Sequence, residues 1–163
     1  MKSLRNTFFV LVLCVLLTSC FPPPPAPTAT PTPVISTSAE CVTAAWNDYN
    51  QNNFAKAIEI SQVCINKWES DAVKQQSELT QAPPNGKVTD EEKKVIFANW
   101  ALNDVATAYF IKALSLEKLG KTNDAKDAYN VVITLPYARC WDPQGFFWSP
   151  AEAASENLAR LPQ

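Results

Sequence analysis

From about residue 39 onward the apolar positions recur at helical spacing. Val42, Ala45, Trp46 and Tyr49 share one face of a segment running from about Ala39 to Gln51, which predicts a first helix. Asn52 and Asn53 supply a turn. A second helix starts near Phe54, directs Ala57, Ile58, Ser61, Cys64, Ile65 and Trp68 inward, and runs to about Leu79. Ala82-Pro83-Pro84-Asn85-Gly86 reads as a loop, because proline lacks the amide donor and Asn-Gly favours a turn. Thr89-Asp90-Glu91-Glu92 has the form of a capping box. It opens a long third helix carrying Val95, Ile96, Trp100, Val105, Ala108, Tyr109, Ile111, Ala113 and Leu116, which Gly120 ends. A fourth helix spans about Thr122 to Leu135 and stops at Pro136. Ser149-Pro150-Ala151-Glu152 is a second capping box, with proline in the first helical position, and opens a short last helix to about Leu161. The predicted class is all-α, built of stacked antiparallel helical hairpins over residues 39–163.

Two of these hairpins match each other. Ala45 and Ala57 flank the first turn, Ala113 and Ala125 the second, each pair 12 residues apart. The pairs are offset by 68 residues, twice the 34-residue period of the tetratricopeptide repeat. Leu116, Leu119, Gly120, Ala125, Ala128, Tyr129, Val132 and Pro136 also follow the second half of that pattern. The chain therefore resembles the tetratricopeptide-repeat (TPR) family over roughly residues 39–69 and 105–137. The stretch from Leu79 to Glu91 does not match. The resemblance implies a concave surface formed by the first helices of the hairpins, which receives peptides or helices of other proteins. Asn47, Asn99, Asn103 and Tyr109 are the groove residues this reading selects.

The pattern changes upstream of residue 39. Lys2 and Arg5 precede the uncharged apolar run from Phe8 to Leu17, the arrangement of a secretory signal. This run is shorter than the roughly 20 residues a bilayer core requires. Leu17-Thr18-Ser19-Cys20 resembles the lipobox of bacterial lipoproteins, with small residues before a cysteine whose thiol accepts diacylglycerol. The resemblance implies cleavage before Cys20, lipidation of that residue and acylation of the new N-terminus. Several buried acyl chains, at about 0.8 kcal/mol per CH₂, give a stable anchor. Phe21 stands where, in such proteins, an Asp would retain the chain in an inner membrane, so its presence points to an outer-membrane or cell-surface destination. Between Phe21 and Ser38 lie seven of the chain's 13 prolines, interleaved with Thr, Ala and Ser. Such a stretch is an extended linker, reaching on the order of 3.1 Å per residue and up to ~50 Å in all. The expected location is a cell membrane or outer membrane, with the helical domain facing the periplasm or the exterior.

Charge and cysteine content narrow the chemistry. Without the leader, 12 basic and 16 acidic groups leave a net charge of −4, with no basic run. This argues against nucleic acid as a partner. Beyond Cys14 and Cys20 the cysteines are Cys41, Cys64 and Cys140. An oxidising compartment permits a disulfide. A hairpin turning at Asn52-Asn53 sets Cys41 opposite about Ser61 to Cys64, which favours Cys41–Cys64; Cys64–Cys140 and three buried thiols are the alternatives. The chain contains no histidine, and its three glycines are isolated. The usual general base, a metal-ligand spacing and a phosphate-binding loop are therefore all missing from the sequence. The reading is a protein that is not an enzyme and needs no metal or cofactor.

Five aromatics fall within Tyr137-Ala138-Arg139-Cys140-Trp141-Asp142-Pro143-Gln144-Gly145-Phe146-Phe147-Trp148. As an ordered loop, this segment either caps the open end of the helix stack or exposes Trp141, Phe146, Phe147 and Trp148 as an aromatic platform. Asp142 is placed to accept hydrogen bonds from the turn's amides. Three functions follow: a membrane-tethered scaffold binding another envelope protein or peptide, an envelope glycan or peptide binder using the aromatic loop, or a structural accessory subunit of an envelope complex.

Overall fold

A computed structural model describes residues 35–162; the leader, Cys20 and the proline-rich stretch up to Val34 lie outside the described residues. The described residues form six helices and one two-stranded antiparallel hairpin. No described helix is long and apolar enough to cross a membrane.

Helix α1 (Ser38–Asn50) begins at a capping box: the Glu40 amide donates to the Thr37 hydroxyl, and the Glu40 carboxylate accepts the Thr37 amide. The Ser36 amide donates to the same carboxylate, and Lys67 reaches back to the carbonyls of Ile35 and Ser36. The helical unit thus includes residues 35–38. Asn52, at φ +62°, turns the chain into α2 (Phe54–Glu78). Asparagine tolerates this left-handed conformation better than most residues.

The long third helix expected between Thr89 and Gly120 is two helices, α3 (Asp90–Ala98) and α4 (Trp100–Lys118), broken at Asn99. The Asn99 amide side chain donates to the Val95 carbonyl at 2.9 Å, and that of Asn103 to the Ile96 carbonyl at 2.7 Å. Two acceptors at the break are therefore satisfied by side chains, and local amide bonding of this kind competes with helix continuation. Gly120, at φ +71°, ends α4 in a Schellman motif: Gly120 N–H donates to the Glu117 carbonyl and Lys121 N–H to that of Leu116.

Helix α5 (Thr122–Ile133) is followed by strands β1 (Cys140–Asp142) and β2 (Phe146–Trp148), which pair Cys140 with Trp148, Trp141 with Phe147 and Asp142 with Phe146. The aromatic segment expected as a loop is thus a β-hairpin, a departure from an all-helical chain. Its tip is shaped by Asp142, whose side chain accepts the Gln144 amide at 2.7 Å, and by Gly145 at φ +96°. Helix α6 (Pro150–Arg160) is capped by Ser149, which accepts the Glu152 amide. The Glu152 carboxylate does not close the expected box; it accepts instead from the Asn85 side chain.

Helix α4 is central, packing against α1 and α2 on one side and α5 and α6 on the other. One core cluster fills the α1–α2–α4 side and a second the α4–α5–α6 side, with Trp46 and Tyr109 packed against both. Ala45, Ala57, Ala113 and Ala125 are fully buried, as close approach of two helix backbones requires. Cys41 and Cys64 are joined by a disulfide, with Cα atoms 5.8 Å apart.

Candidate functional site

One face of α1 is not covered by the helices behind it. Ala39, Val42, Thr43, Trp46, Asn47 and Asn50 recur along it at helical spacing and form one wall of a trough. The hairpin and the α3–α4 corner form the other wall. The trough has two recesses that meet at Cys140 and Trp141. The larger, about 440 Å³, lies among Trp46, Asn47, Asn50, Asp142 and Trp148. The smaller, about 220 Å³, lies among Val42, Phe97, Trp100, Asp104 and Trp141.

Three connections fix the hairpin over this trough. The Gly86 amide donates to the Phe147 carbonyl at 2.7 Å, and the Phe147 amide returns a bond to Gly86 at 2.9 Å. The Arg139 amide donates to the Asn103 side chain at 2.8 Å. The buried Arg139 guanidinium donates to the carbonyls of Pro83, Pro136 and Ala138. Neutral carbonyls thereby take up a charged group whose burial would otherwise be costly. Phe147 is buried under Trp141 and Phe97, with ring centroids 4.9 and 5.6 Å away, while Trp148 packs edge-on against Phe110 at 5.3 Å.

The aromatic segment therefore both packs and presents a surface. Phe147 is core, Phe146 and Trp148 are half-buried, and Trp141 is 41% exposed. Phe97 and Trp100, from the break between α3 and α4, are 49% and 44% exposed beside it. The ammonium of Lys93 lies over the Trp141 ring, 4.4 Å from its centroid, and 5.6 Å from that of Phe97.

The candidate groove residues do not gather in one place. Asn47 lines the larger recess. Asn103 borders the smaller one, but its amide is engaged at both ends by Ile96 and Arg139. Asn99 caps α3. Tyr109 borders a separate recess between α4 and α5, and its hydroxyl donates to Glu69 of α2 at 2.6 Å. Burial and the adjacent Glu69 carboxylate push the Tyr109 phenol well above its ordinary range. Sequence reasoning missed Trp46 as a wall residue, along with Phe97, Trp100 and Asp104. The Trp100 and Asp104 pair, four residues apart, was the available signal for one helix face presenting an aromatic beside an acid.

Asp104 accepts a hydrogen bond from the buried Ser38 hydroxyl at 2.5 Å. Burial raises its pKa and the Ser38 bond opposes that rise. The Cys140 thiol is pushed up to about 11, chiefly by burial, so it is protonated near neutral pH and a poor nucleophile there. Among the described residues no group of three His, Cys, Asp or Glu side chains is arranged to hold a metal ion. A further recess, about 360 Å³, lies beside the 79–84 loop and is lined by loop residues together with Glu78, Glu92 and Val95.

Comparison with protein families, characterised proteins and solved structures finds no match for this chain.

Proposed function

We propose that the protein is a lipid-anchored envelope lipoprotein whose TPR-like helical hairpins bind a segment of another envelope protein in the trough between α1 and the β1–β2 hairpin. One observation carries this reading: a single face of α1, with Trp46, Asn47 and Asn50, opposes Trp141 and Trp148 across an open trough. Indole rings supply apolar contact area with few torsions to freeze on binding, and asparagine amides match the donor and acceptor of a peptide backbone. The same arrangement disfavours a glycan platform on the hairpin. Phe147 is buried and Trp148 leans on Phe110, which leaves Trp141 as the most exposed ring of the hairpin. The anchor at Cys20 holds the trough near the membrane at the end of the proline-rich linker, where an envelope partner is met at high local concentration.

Site-directed photo-crosslinking in cells expressing the full chain tests this directly. A photoreactive residue at Asn47 or Pro143, at the trough, is expected to yield a discrete protein adduct. The same residue at Val73, 56% exposed on α2, is expected to yield none. Adducts at Val73 with none at the trough would overturn the assignment of the surface. Incorporation of a clickable fatty acid, abolished in Cys20→Ser, tests the anchor.

A further inference from the structure

The smaller recess has a composition that the trough as a whole does not. Its mouth is framed by Phe97, Trp100 and Trp141, rings that are 49%, 44% and 41% exposed although each belongs to a type that normally withdraws from water. On its inner side stands the Asp104 carboxylate. Among the described residues its hydrogen-bond partner is the Ser38 hydroxyl, and no lysine or arginine acts on it. The Arg139 guanidinium, which also borders the recess, directs Nε and Nη1 to the carbonyls of Pro83, Pro136 and Ala138 and leaves Asp104 unpaired. A half-buried acid without a cation, behind aromatic faces that carry negative quadrupole density, is complementary to a positive group with an apolar stem. The protein itself shows the preference: Lys93 already places its ammonium over Trp141 and Phe97.

We infer that the recess framed by Phe97, Trp100 and Trp141 takes a basic side chain, lysine or arginine, of the bound peptide and pairs it with the Asp104 carboxylate. The inference rests on the peptide-binding reading of the trough and adds to it the residue class that anchors the peptide. The recess, about 220 Å³, admits one long side chain, while the peptide backbone continues past Cys140 and Trp141 into the larger recess beside Asn47. Lys93 competes for the same rings from outside, so it sets a threshold that a ligand cation must exceed.

The test selects peptides from a random phage-displayed library against the full chain in detergent micelles. Fluorescence polarisation then measures binding of the selected peptides, with their basic residues replaced by citrulline or norleucine. Selected peptides are expected to share a Lys or Arg, whose neutral replacement weakens binding about tenfold or more. Asp104→Asn, which keeps an acceptor for Ser38, is expected to cause a similar loss. Lys93→Gln is expected to tighten binding severalfold, a gain that a folding defect cannot produce. Peptides that require Trp46 yet share no basic residue, or that bind Asp104→Asn unchanged, would overturn the inference and leave the peptide-binding trough standing. Selection of no peptide sensitive to Trp46→Ala or Trp141→Ala would overturn both.

Discussion

The side-chain carbonyl of Asn103 accepts the backbone amide of Arg139 at 2.8 Å, across 36 residues of sequence. The same side chain donates to the Ile96 carbonyl at 2.7 Å. One buried amide thus joins the end of α3, the first turn of α4 and the start of the hairpin. Removing it leaves the buried Arg139 amide without its partner, at about 1–3 kcal/mol, while the Ile96 carbonyl keeps the Asn99 amide at 3.1 Å. Asn103→Ala is expected to lower unfolding free energy by about 1–3 kcal/mol in urea titration. Asn103→Asp keeps the acceptor for Arg139 but sets a carboxylate oxygen against the Ile96 carbonyl in a buried site, so it should also be less stable than wild type. Equal stability of all three would show that this bond does not hold the hairpin.

The Cys41–Cys64 disulfide closes a loop of sequence separation 23 around the first helical turn. Restricting the unfolded chain over a loop of that size stabilises by about 3 kcal/mol. Paired replacement, Cys41→Ala with Cys64→Ala, is expected to lower the denaturation midpoint in guanidinium accordingly, by an amount near that seen when the wild-type chain is reduced. Both sites are within 1% of complete burial, so some of the loss will come from packing.

Cys140 offers a pH-dependent observable. Its pKa rises from 9.0 to about 11 on folding, so the folded chain holds this proton more tightly than the unfolded chain. The corresponding stability is fully present below pH 9 and is lost as pH rises toward about 11. At pH 8 the folded thiolate fraction is about a hundredfold below that of the unfolded chain. Iodoacetamide labelling, assigned to Cys140 by peptide mapping, should be slower by a comparable factor in buffer than in urea. Equal rates would mean that Cys140 is not shielded between α4 and the hairpin.

Tryptophan emission separates wall from core. Trp68 is 7% exposed, whereas Trp100 and Trp141 are 44% and 41% exposed. Trp100→Phe and Trp141→Phe are each expected to remove red-shifted, acrylamide-quenchable intensity. Trp68→Phe should remove blue-shifted, protected intensity. A Trp141→Phe variant whose quenching matches wild type would place that ring inside the protein and remove one wall of the proposed basic-side-chain recess.

Much of the helical framework was legible in the sequence. The starts of α2, α5 and α6, and the Gly120 stop, follow from spacing and end-capping residues that act within one or two turns. The turn at Asn52-Asn53 and the capping box at Thr89 are local in the same sense, as their hydrogen bonds span three to five residues. The break at Asn99 was not read, because the apolar spacing continues through it from Ile96 to Val105. What ends α3 is the amide of Asn99 itself together with that of Asn103, and the latter also serves Arg139 in a distant segment. The aromatic segment was equally ambiguous between cap and platform. Trp141 and Phe147 are cross-strand partners in the hairpin, yet one ring is 41% exposed and the other 1%.

Periodicity and capping chemistry alone determined that this chain is predominantly helical beyond residue 38, where most of its helices start and stop, and that small residues lie at helix crossings. Tertiary structure alone decided which aromatics face water, that Asp104 stands beside them without a cation among the described residues, and that a β-hairpin forms one wall of the trough. Helix signals are encoded by neighbours a few residues apart. The trough depends on Arg139 meeting Pro83 across 56 residues and Ser38 meeting Asp104 across 66, contacts that only chain folding brings together.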